Sequence, residues 1–471
     1  MAGSRRSVAS RAPWGRRRES APRALLLALL VPLVVLAPGC ALVGGAGGPA
    51  TPVVAQEQGS PPPLRIGTSG DYPPFSLRGA DGSFTGFDVD VARAYARSRG
   101  RELSFVPFRW PELRERLLAG DFDVAMSGVT VRPERLVAGY LTMPVAETSA
   151  VLVARRGASA RDLDRPGRTV GVNRGGHLER VARAHFRRAA IRAIDDNRTL
   201  PELLETGAVD AIVADRLEVS SLVPVGGGEH GRFAVAVVLS RDRKAYWVAP
   251  SAEPLGRDLD AFLAASEADG TLPALRAQDL GEARDAGPTL SPASARVIEL
   301  VARRLSLMPA VAAAKSAAGL PIEDLAREAQ VEQAAAARAR KAGLAPDDDL
   351  ALVRAEIAAA KAIQRASGVA GTDSDSSAPP LTLDHELRPA IDRLDAAILV
   401  ALVDAAPVSD SPESLLEALR EATEIPGLDD DLRRAIVDGV RRAASHRPER
   451  SAASPHPRLS SSLAPCRSEN A

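Results

Sequence analysis

Basic side chains on an apolar helical stripe are the first sign of chemistry in this sequence. Lysine is rare and occurs only at Lys244, Lys315, Lys341 and Lys361. In a predicted helix over 292–316, Arg304 and Lys315 fall on the same face as Val301, because steps of three or four residues return to one side of a helix. Burying two unpaired cations is costly, so the pattern predicts an anionic ligand, unless the side chains reach solvent or pair with buried acids.

A second polar set follows this helix. Asp324 and Arg327 lie one helical turn apart within LPIEDLAREAQV, and twelve positions separate Lys315 from Arg327. Gln364 lies on a later predicted helix, on the face that also carries Val353. Polar residues of these types can bind and orient a small anion.

This run and its spacings resemble the secreted, all-helical class of chorismate mutases, over about 296–391. The resemblance implies a pericyclic rearrangement of chorismate to prephenate, which requires no nucleophile, acid, metal or cofactor, only a site that holds the dicarboxylate and stabilises charge on its ether oxygen. The implied site residues are Arg304, Lys315, Asp324, Arg327, Gln364 and Arg388.

The resemblance also implies a role for each residue. The three arginines would bind the two carboxylates, Lys315 and Gln364 would donate to the ether oxygen, and Asp324 would bind the substrate hydroxyl or position Lys315. A neutral Gln364 would function over a wide pH range. Ala360 stands where relatives usually have serine or threonine, so one hydrogen bond to the substrate would be missing.

The amino-terminal half carries a different set of motifs. GDYPPFSLRGADGSFTGFDVDVARAYA (70–96) and GDFDVAMSGVTVRPERL (120–136) resemble periplasmic amino-acid-binding proteins. This resemblance covers nearly all of 64–280 and implies a two-lobed α/β clamp with its ligand between the lobes. It implies that Arg135 grips the ligand carboxylate with help from Thr130, and a planar guanidinium suits a carboxylate.

Within that scaffold, four positions resemble the cyclohexadienyl dehydratases. They are Trp110 in RWP, Asn173 in GVNRGG, Glu218 in ADRLEV and Lys244 in KAY. The resemblance implies that prephenate loses its ring hydroxyl and ring carboxylate together, with Glu218 as the general acid that burial keeps protonated. Trp110 would form an apolar wall, Asn173 would bind the substrate, and Lys244 would neutralise a carboxylate or orient Glu218.

Two residues leave the ligand of this half open. His177 stands where such dehydratases carry a threonine at a helix start, and a protonated histidine would add positive charge. Asp215 stands near the aspartate that binds the ammonium group in amino-acid receptors. Arogenate or an ordinary amino acid therefore stays open beside prephenate. The alternative function is an amino-acid-binding lipoprotein fused to a chorismate mutase.

The elements that must position these residues divide the 471-residue chain into two folded parts, since that length is too great for one core. Over 64–280, short strands alternate with helices and predict a largely parallel α/β fold. After a linker at 281–290, helical periodicity over 291–445 predicts an all-α domain. The predicted helices are 292–316, 323–342, 347–367 and 383–404, with two shorter ones beyond.

The remaining segments predict export. Residues 1–40 combine arginines with an apolar run from Ala24 to Leu36, too short to span a bilayer, as in a signal peptide. LAPGC, which ends at Cys40, resembles a bacterial lipobox and implies a lipid-anchored protein of the periplasm or cell envelope. Residues 41–63 have the composition of a flexible tether, and 446–471 that of a disordered tail.

Charge and cysteine content restrict the remaining partners. Sixty basic and sixty acidic side chains give zero net charge, which excludes a whole-protein field towards nucleic acid or an anionic membrane. Cys466 is the only cysteine besides Cys40, so no disulfide framework is predicted. The expected partners are chorismate and prephenate or arogenate, with membrane contact only through the lipid anchor. A homo-oligomer stays open, and no metal or cofactor is expected.

Overall fold

The computed structural model describes residues 62–222, 232–281, 290–369 and 381–445. The predicted signal peptide with Cys40, nearly all of the tether and the linker, and the tail lie outside these ranges.

Two five-stranded sheets form the two lobes of the α/β part. The strands are β1 (Leu64–Thr68), β2 (Asp71–Tyr72), β3 (Ser76–Arg78), β4 (Phe84–Thr85), β5 (Leu103–Pro107), β6 (Val124–Ala125), β7 (Tyr140–Leu141), β8 (Ala146–Thr148), β9 (Ala150–Arg155), β10 (Thr169–Asn173), β11 (Ala190–Ile194), β12 (Ala211–Asp215), β13 (Phe233–Val238), β14 (Asp242–Lys244) and β15 (Trp247–Val248). The first sheet has the order β5-β1-β6-β15-β7 and the second the order β11-β10-β12-β9-β13. One strand of each sheet, β15 or β9, runs against the other four.

The lobes are joined through an antiparallel pair, β8 and β14. The resemblance to amino-acid-binding proteins implies a crossing near Val151 to Arg155 and a return near Val237 to Lys244. Strand β9 lies wholly in the second sheet, so the chain crosses just before it. The return, between β13 and β14, falls within the predicted interval.

Helices cover both lobes and form the secondary structure of the described carboxy-terminal residues, 290–369 and 381–445. They are α1 (Phe87–Ser98), α2 (Leu113–Ala119), α3 (Pro133–Ala138), α4 (Ala160–Leu163), α5 (His177–His185), α6 (Leu200–Glu205), α7 (Arg216–Leu222), α8 (Glu253–Ala268), α9 (Thr271–Leu280), α10 (Pro292–Ser306), α11 (Met308–Ala317), α12 (Leu325–Ala342), α13 (Pro346–Val369), α14 (Arg388–Ala405), α15 (Pro412–Ala422) and α16 (Asp430–Ala443). A π-helical turn, Leu383–Leu387, leads into α14. The predicted fold class, an α/β clamp followed by an all-α domain, is confirmed.

The helical part departs from the prediction at its start. The single helix expected over 292–316 is two helices that meet at Leu307, where Pro309 lacks the backbone N–H that a continuous helix needs. Arg304 and Lys315 therefore lie on different helices, α10 and α11. Helix α12 begins after Asp324, whose carboxylate accepts a hydrogen bond from the backbone N–H of Arg327.

The α/β and helical parts pack into one compact unit. Leu136, Leu141 and Trp247 of the first lobe belong to the same buried apolar cluster as Val297 and Val301 of α10. The two parts therefore share one buried apolar cluster. No helix within the described ranges is long and apolar enough to cross a membrane.

Candidate active sites

A cleft of about 320 Å³ lies between the two lobes. Its lining includes four residues expected from the sequence, namely Trp110, Thr130, Arg135 and Asn173. The other lining residues are Tyr72, Gly128, Gly176, His177 and Leu178. Residues from both lobes therefore meet around one small-molecule-sized space, as in a clamp.

Local structure explains how this wall is built. Asn173 ends β10, and Gly176 and His177 follow it at the start of α5, which has no side-chain cap, so backbone N–H groups of its first turn are free for an anion. Gly128 has φ of 63°, and a Cβ there would lie 2.6 Å from the Tyr72 ring. A glycine is needed at that point of the cleft wall.

Arg135 is buried in the cleft wall without an acidic partner among the described residues. It donates to the backbone oxygen of Thr130 at 2.6 Å and lies 5.8 Å from the ring centre of Trp247. Burial, with the neighbouring charge of Arg132, lowers the pKa of Arg135 well below its usual value. An anionic ligand would relieve this cost, which suits the predicted role.

Lys244 is buried behind the cleft-lining residues Thr130 and Tyr72 and is already paired. Its Nζ lies 2.9 Å from Asp215 Oδ2, and it donates to the Thr130 hydroxyl at 2.9 Å and the Tyr72 hydroxyl at 3.2 Å. The sequence predicted that Lys244 neutralises a carboxylate or orients Glu218. In the structure, the carboxylate that it neutralises is that of Asp215. Lys244 does not contact Glu218.

The Asp215 carboxylate is saturated. Besides Lys244, it accepts hydrogen bonds from the Tyr72 hydroxyl at 3.0 Å, from the Thr148 hydroxyl, and from the backbone N–H of Leu217 at 2.9 Å. Tyr72 crosses from the first lobe to reach it. Asp215 thus joins the two lobes while its charge is neutralised.

Glu218 lies behind the cleft wall. It is fully buried, accepts a hydrogen bond from the Asn197 side chain, and has an Oε2 without a partner among the described residues. Burial, and then the charges of Asp215 and Asp71, raise the pKa of Glu218 well above its usual value. Glu218 is not among the residues that line the cleft, and its role as the general acid stays a prediction.

A short chain of contacts connects Glu218 to the cleft. Asn197 donates at 3.4 Å to the backbone oxygen of Asp71, and Asn173 donates at 3.4 Å to the Asp71 carboxylate. Sequence reasoning missed Asp71, Tyr72 and Asn197. Asp71 and Tyr72 lie in the run that begins at Gly70, from which only the family resemblance was inferred. Asn197 lies in no motif.

His177 adds no charge to the cleft. Its Nε2 lies 2.8 Å from Asp242, but burial lowers the pKa of the imidazole despite that carboxylate. The expectation of a protonated histidine is therefore not supported at neutral pH. As a neutral side chain, His177 contributes shape and hydrogen bonding.

The six polar residues predicted in the helical part are divided by burial. Arg304 and Gln364 are buried, Lys315, Arg327 and Arg388 are half-buried, and Asp324 is exposed. The helix packing thus does not enclose all six in this ligand-free structure.

Arg304 is neutralised by two acids. Its Nε lies 2.7 Å from Asp395 and 3.6 Å from Glu356, and these charges raise its pKa although burial acts to lower it. Burial raises the pKa of Glu356 to about 7. A cavity of about 380 Å³ adjoins this cluster and is also lined by Arg338 and Asp349. The sequence left open whether Arg304 binds an anionic ligand or pairs with buried acids. In the structure it pairs with the acids Asp395 and Glu356.

Lys315 belongs to a more open group. Its Nζ donates to the backbone oxygen of Ile322 at 2.8 Å, and burial lowers its pKa, with the nearby charges of Asp324 and Arg388 acting in opposite directions. Arg388 also pairs with Asp384. The structure therefore brings Lys315, Asp324 and Arg388 together.

Gln364 is a buried amide of α13. Its Nε2 lies 3.8 Å from the sulfur of Met308, at the start of α11, and its Oε1 has no partner within the described ranges. Arg327 extends along α12, where its Nη1 lies 3.4 Å from Gln330. A buried amide with unused hydrogen-bonding capacity can bind a polar group of a ligand. Across the part of the chain that the structure describes, no three His, Cys, Asp or Glu side chains are grouped to hold a metal ion.

Comparison with known proteins assigns families to both parts. Residues 64–282 match the bacterial extracellular solute-binding proteins, family 3, and residues 294–365 match chorismate mutase type II. The L-cystine-binding protein TcyJ of Escherichia coli K12 is 31% identical over 218 residues, which are 45% of this chain and 80% of that protein.

A cyclohexadienyl dehydratase is also similar. That of Pseudomonas aeruginosa is 37% identical over 160 residues, which are 33% of this chain and 60% of the dehydratase. The chain thus spans less than two thirds of that relative's length. The crystal structure of the ancestral amino acid-binding protein AncCDT-1, a precursor of cyclohexadienyl dehydratase, covers 46% of this chain and 95% of its own at 27% identity, with a TM-score of 0.43.

These matches fall on the two parts that the structure distinguishes, the clamp and the helical bundle. The chain belongs to family 3 of the bacterial extracellular solute-binding proteins, as a fusion in which a chorismate mutase type II domain follows the solute-binding domain.

Proposed function

We propose that this protein converts chorismate to phenylpyruvate in two steps. The helical domain rearranges chorismate to prephenate, and the interlobe cleft then removes water and CO₂ from prephenate. The observation that carries the second step is Glu218, a fully buried carboxyl with a raised pKa. Its Oε2 has no partner among the described residues, and it lies beside a cleft that contains the buried Arg135. A receptor that only binds its ligand needs no proton donor of this kind.

The dehydratase step requires a proton. The bond from the ring to its carboxylate breaks, CO₂ leaves, and the electron pair aromatises the ring as the bond to the ring hydroxyl breaks. Hydroxide is a poor leaving group, so Glu218 supplies the proton that makes it water, and is later reprotonated from solvent. Arg135 holds the side-chain carboxylate of the substrate, and Asn173 and the first turn of α5 supply neutral donors.

Asp215 favours prephenate over arogenate and over ordinary amino acids. A ligand ammonium would need a carboxylate, but the ammonium of Lys244 already holds Asp215 at 2.9 Å. Prephenate carries a keto group in place of that ammonium and makes no such demand. Lys244 therefore acts as an internal substitute for the ligand ammonium of an amino-acid receptor.

The mutase step requires only oriented polar groups. Gln364 lies against Met308 of α11, the helix that also carries Lys315, and Arg388 is close enough to Lys315 to lower its pKa. Because Gln364 and Lys315 are the donors proposed for the ether oxygen, the substrate would lie between them with its carboxylates on the arginines. Binding would draw Arg304 from its two acids to a substrate carboxylate.

The dehydratase step is tested by feeding chorismate to the full-length protein and measuring prephenate and phenylpyruvate. We expect prephenate to accumulate in Glu218→Gln, because an amide cannot deliver a proton. Glu202→Gln, on the exposed face of α6, is the matched control and should behave as wild type. Unchanged phenylpyruvate formation in Glu218→Gln would refute the dehydratase assignment.

The mutase step is tested by the persistence of chorismate. We expect Lys315→Ala to retain chorismate while still converting added prephenate, whereas Lys341→Ala, an exposed lysine of α12, should retain both activities. Equal chorismate consumption by the two variants would remove Lys315 from the site.

The second candidate function for the α/β domain is amino-acid binding. It is supported by the similarity to TcyJ and to the L-arginine-binding protein of Pseudomonas aeruginosa, which is 32% identical over 157 residues. It predicts that L-cystine or L-arginine binds to the wild-type chain and that prephenate neither binds nor reacts. Calorimetric titration with the three compounds distinguishes the candidates.

We also propose that the protein is exported and lipid-anchored through Cys40, with the domain limits given by the sequence. Membership of an extracellular solute-binding family supports export. Metabolic labelling with a tagged fatty acid should mark the wild-type protein but not Cys40→Ser. Label that persists in the variant would exclude Cys40 as the anchor.

A further inference from the structure

The helical domain packs against the back of the cleft wall. Helices α10 and α14 and the π-helical turn contact α3, the helix that carries Arg135. Leu136 and Ala138 of α3 are buried in the apolar cluster that contains α10. The helix that presents the carboxylate anchor therefore rests on the helical domain.

A buried ion cluster crosses the same interface. The Glu299 carboxylate of α10 pairs with Arg303 Nε at 2.6 Å and with the Arg243 guanidinium of β14. Arg303 in turn donates to the backbone oxygens of Leu141 and Thr142 at 2.7 and 2.5 Å. Since Glu299 is only 6% exposed, both arginines are needed to compensate its charge.

Arg243 is adjacent to Lys244, the cleft lysine. Successive side chains of a strand point to opposite faces, so Arg243 faces the helical domain while Lys244 points the other way, to Thr130 and Tyr72 of the cleft wall. The backbone oxygens of these two residues also accept hydrogen bonds from Val131 and Val145, at 2.8 Å each. Fixing Arg243 therefore fixes the backbone from which Lys244 extends.

A second contact holds the end of α3. Arg393 of α14 lies 3.4 Å from the backbone oxygens of Leu136 and Val137. These carbonyls follow Arg135 directly, near the carboxyl end of the helix, where a cation is favourable. Residues of the helical domain thus bind the chain next to both cations. Arg393 contacts the carbonyls that follow Arg135, and Glu299 pairs with Arg243, which precedes Lys244.

We propose that the helical domain positions the ligand-binding cations of the α/β cleft, with Glu299 and Arg243 as positioning residues. The helical domain is then part of the scaffold of the cleft as well as a separate site. This proposal rests on the proposed function only in its choice of probe, because prephenate is the ligand proposed for the cleft.

The test compares two arginines of one strand segment in the full-length protein. Arg243 forms the buried pair with Glu299, whereas Arg241 forms an exposed pair with Glu424 at 3.5 Å. Because Trp110 lines the cleft, the Kd for prephenate is measured from tryptophan fluorescence, in a Glu218→Gln background that the proposed function expects not to turn prephenate over. We expect Arg243→Ala and Glu299→Gln to raise Kd about tenfold, and Arg241→Ala to leave it unchanged.

Two further readouts separate positioning from general destabilisation. Arg243→Lys keeps the positive charge and should restore most of the affinity, and chorismate consumption should stay at the wild-type rate in all four variants. Equal Kd values for Arg243→Ala, Glu299→Gln and Arg241→Ala would overturn the proposal. If Arg243→Ala does not fold, Glu299→Gln, which keeps the side-chain shape, decides the question.

The proposed function can fail separately. If wild-type protein does not bind prephenate, the dehydratase assignment fails, and the same four variants are titrated with L-arginine or L-cystine. The positioning proposal then stands or falls on their relative Kd values for that amino acid.

Discussion

Behind the interlobe cleft, the buried ammonium of Lys244 is paired with Asp215, and burial raises the pKa of the Glu218 carboxyl well above its usual value. In the helical bundle, the buried guanidinium of Arg304 is paired with two acids, and Gln364 is a neutral amide. Both regions bury cations against carboxylates. They differ in the group proposed to act on the substrate, which is a carboxyl in the α/β domain and an amide in the bundle.

This difference follows the chemistry proposed for each site. Eliminating a hydroxyl needs an acid, and burial is the means by which a carboxyl stays protonated at neutral pH. A pericyclic rearrangement needs charges held in place, and a neutral amide can serve at every pH. The dehydratase step should therefore follow the protonation of Glu218, whereas the donor role of Gln364 gives the mutase step no such dependence.

Removing Lys244 should have the largest effect, because it uncovers a buried carboxylate. In Lys244→Met, Asp215 loses its cation, and phenylpyruvate formation from prephenate should fall about 100-fold or more. A ligand ammonium could then take the vacant place beside Asp215. We expect arogenate to raise the melting temperature of Lys244→Met and not that of the wild type, measured by differential scanning fluorimetry.

Asp215→Asn is the companion variant. It removes the carboxylate that would receive the ammonium, so arogenate should stabilise neither Asp215→Asn nor the double variant. Stabilisation of wild-type protein by arogenate would show that Lys244 yields its position and that the cleft does not discriminate between the two substrates.

The pH dependence of the mutase should change most when Gln364 becomes an acid. The carboxyl introduced by Gln364→Glu would donate to the ether oxygen only while protonated, so the mutase rate of this variant should fall about tenfold per pH unit above the pKa of the new side chain. The wild-type rate should be flat between about pH 5 and 8. Gln333→Glu, an exposed change on α12, is the control, and a wild-type rate that falls steeply towards high pH would contradict the role of Gln364.

Glu218 should make the free energy of unfolding depend on pH. Its pKa is raised in the folded state, so between its usual value and the raised value the unfolded chain releases a proton that the folded chain keeps. Rising pH therefore destabilises the protein by up to about 1.4 kcal/mol per pH unit, a loss absent from Glu218→Gln. Urea unfolding at pH 5, 6, 7 and 8 should show the variant gaining stability relative to wild type as pH rises. Parallel curves would mean that Glu218 is ionised in the folded protein.

The sequence predicted the fold better than the sites. The segment Phe233–Val238 is an unbroken apolar run, which is a recognisable strand pattern although Val235 and Val238 are exposed. In the strand at Ala190–Ile194, Arg192 interrupts the apolar residues, so the local pattern does not mark it as a strand. Local patterns thus identify strands by the continuity of apolar residues in the sequence and not by their burial in the fold.

Pairing between distant residues could not be predicted from local pattern. Asp215 and Lys244 lie in different lobes, and only the return through β14 brings them together. Arg304 was predicted to meet an anion, but Asp395 lies 91 positions later in the chain. The break at Leu307, by contrast, follows from Pro309, which is visible in the sequence. One helix was predicted because the helical periodicity continues on both sides of this proline.

The smallest expected effect concerns Ala360, a buried position on α13. A serine there adds one hydroxyl within the bundle, and one net hydrogen bond to the substrate would raise kcat/KM of the mutase about fivefold. Without substrate, the hydroxyl can bond to the backbone oxygen one turn earlier, so the cost to folding should be small. Ala358→Ser, on the exposed side of the same helix, should change nothing. If Ala360→Ser also leaves kcat/KM unchanged, the substrate does not reach this turn of α13, and the site lies nearer Lys315 and Arg388 than Arg304.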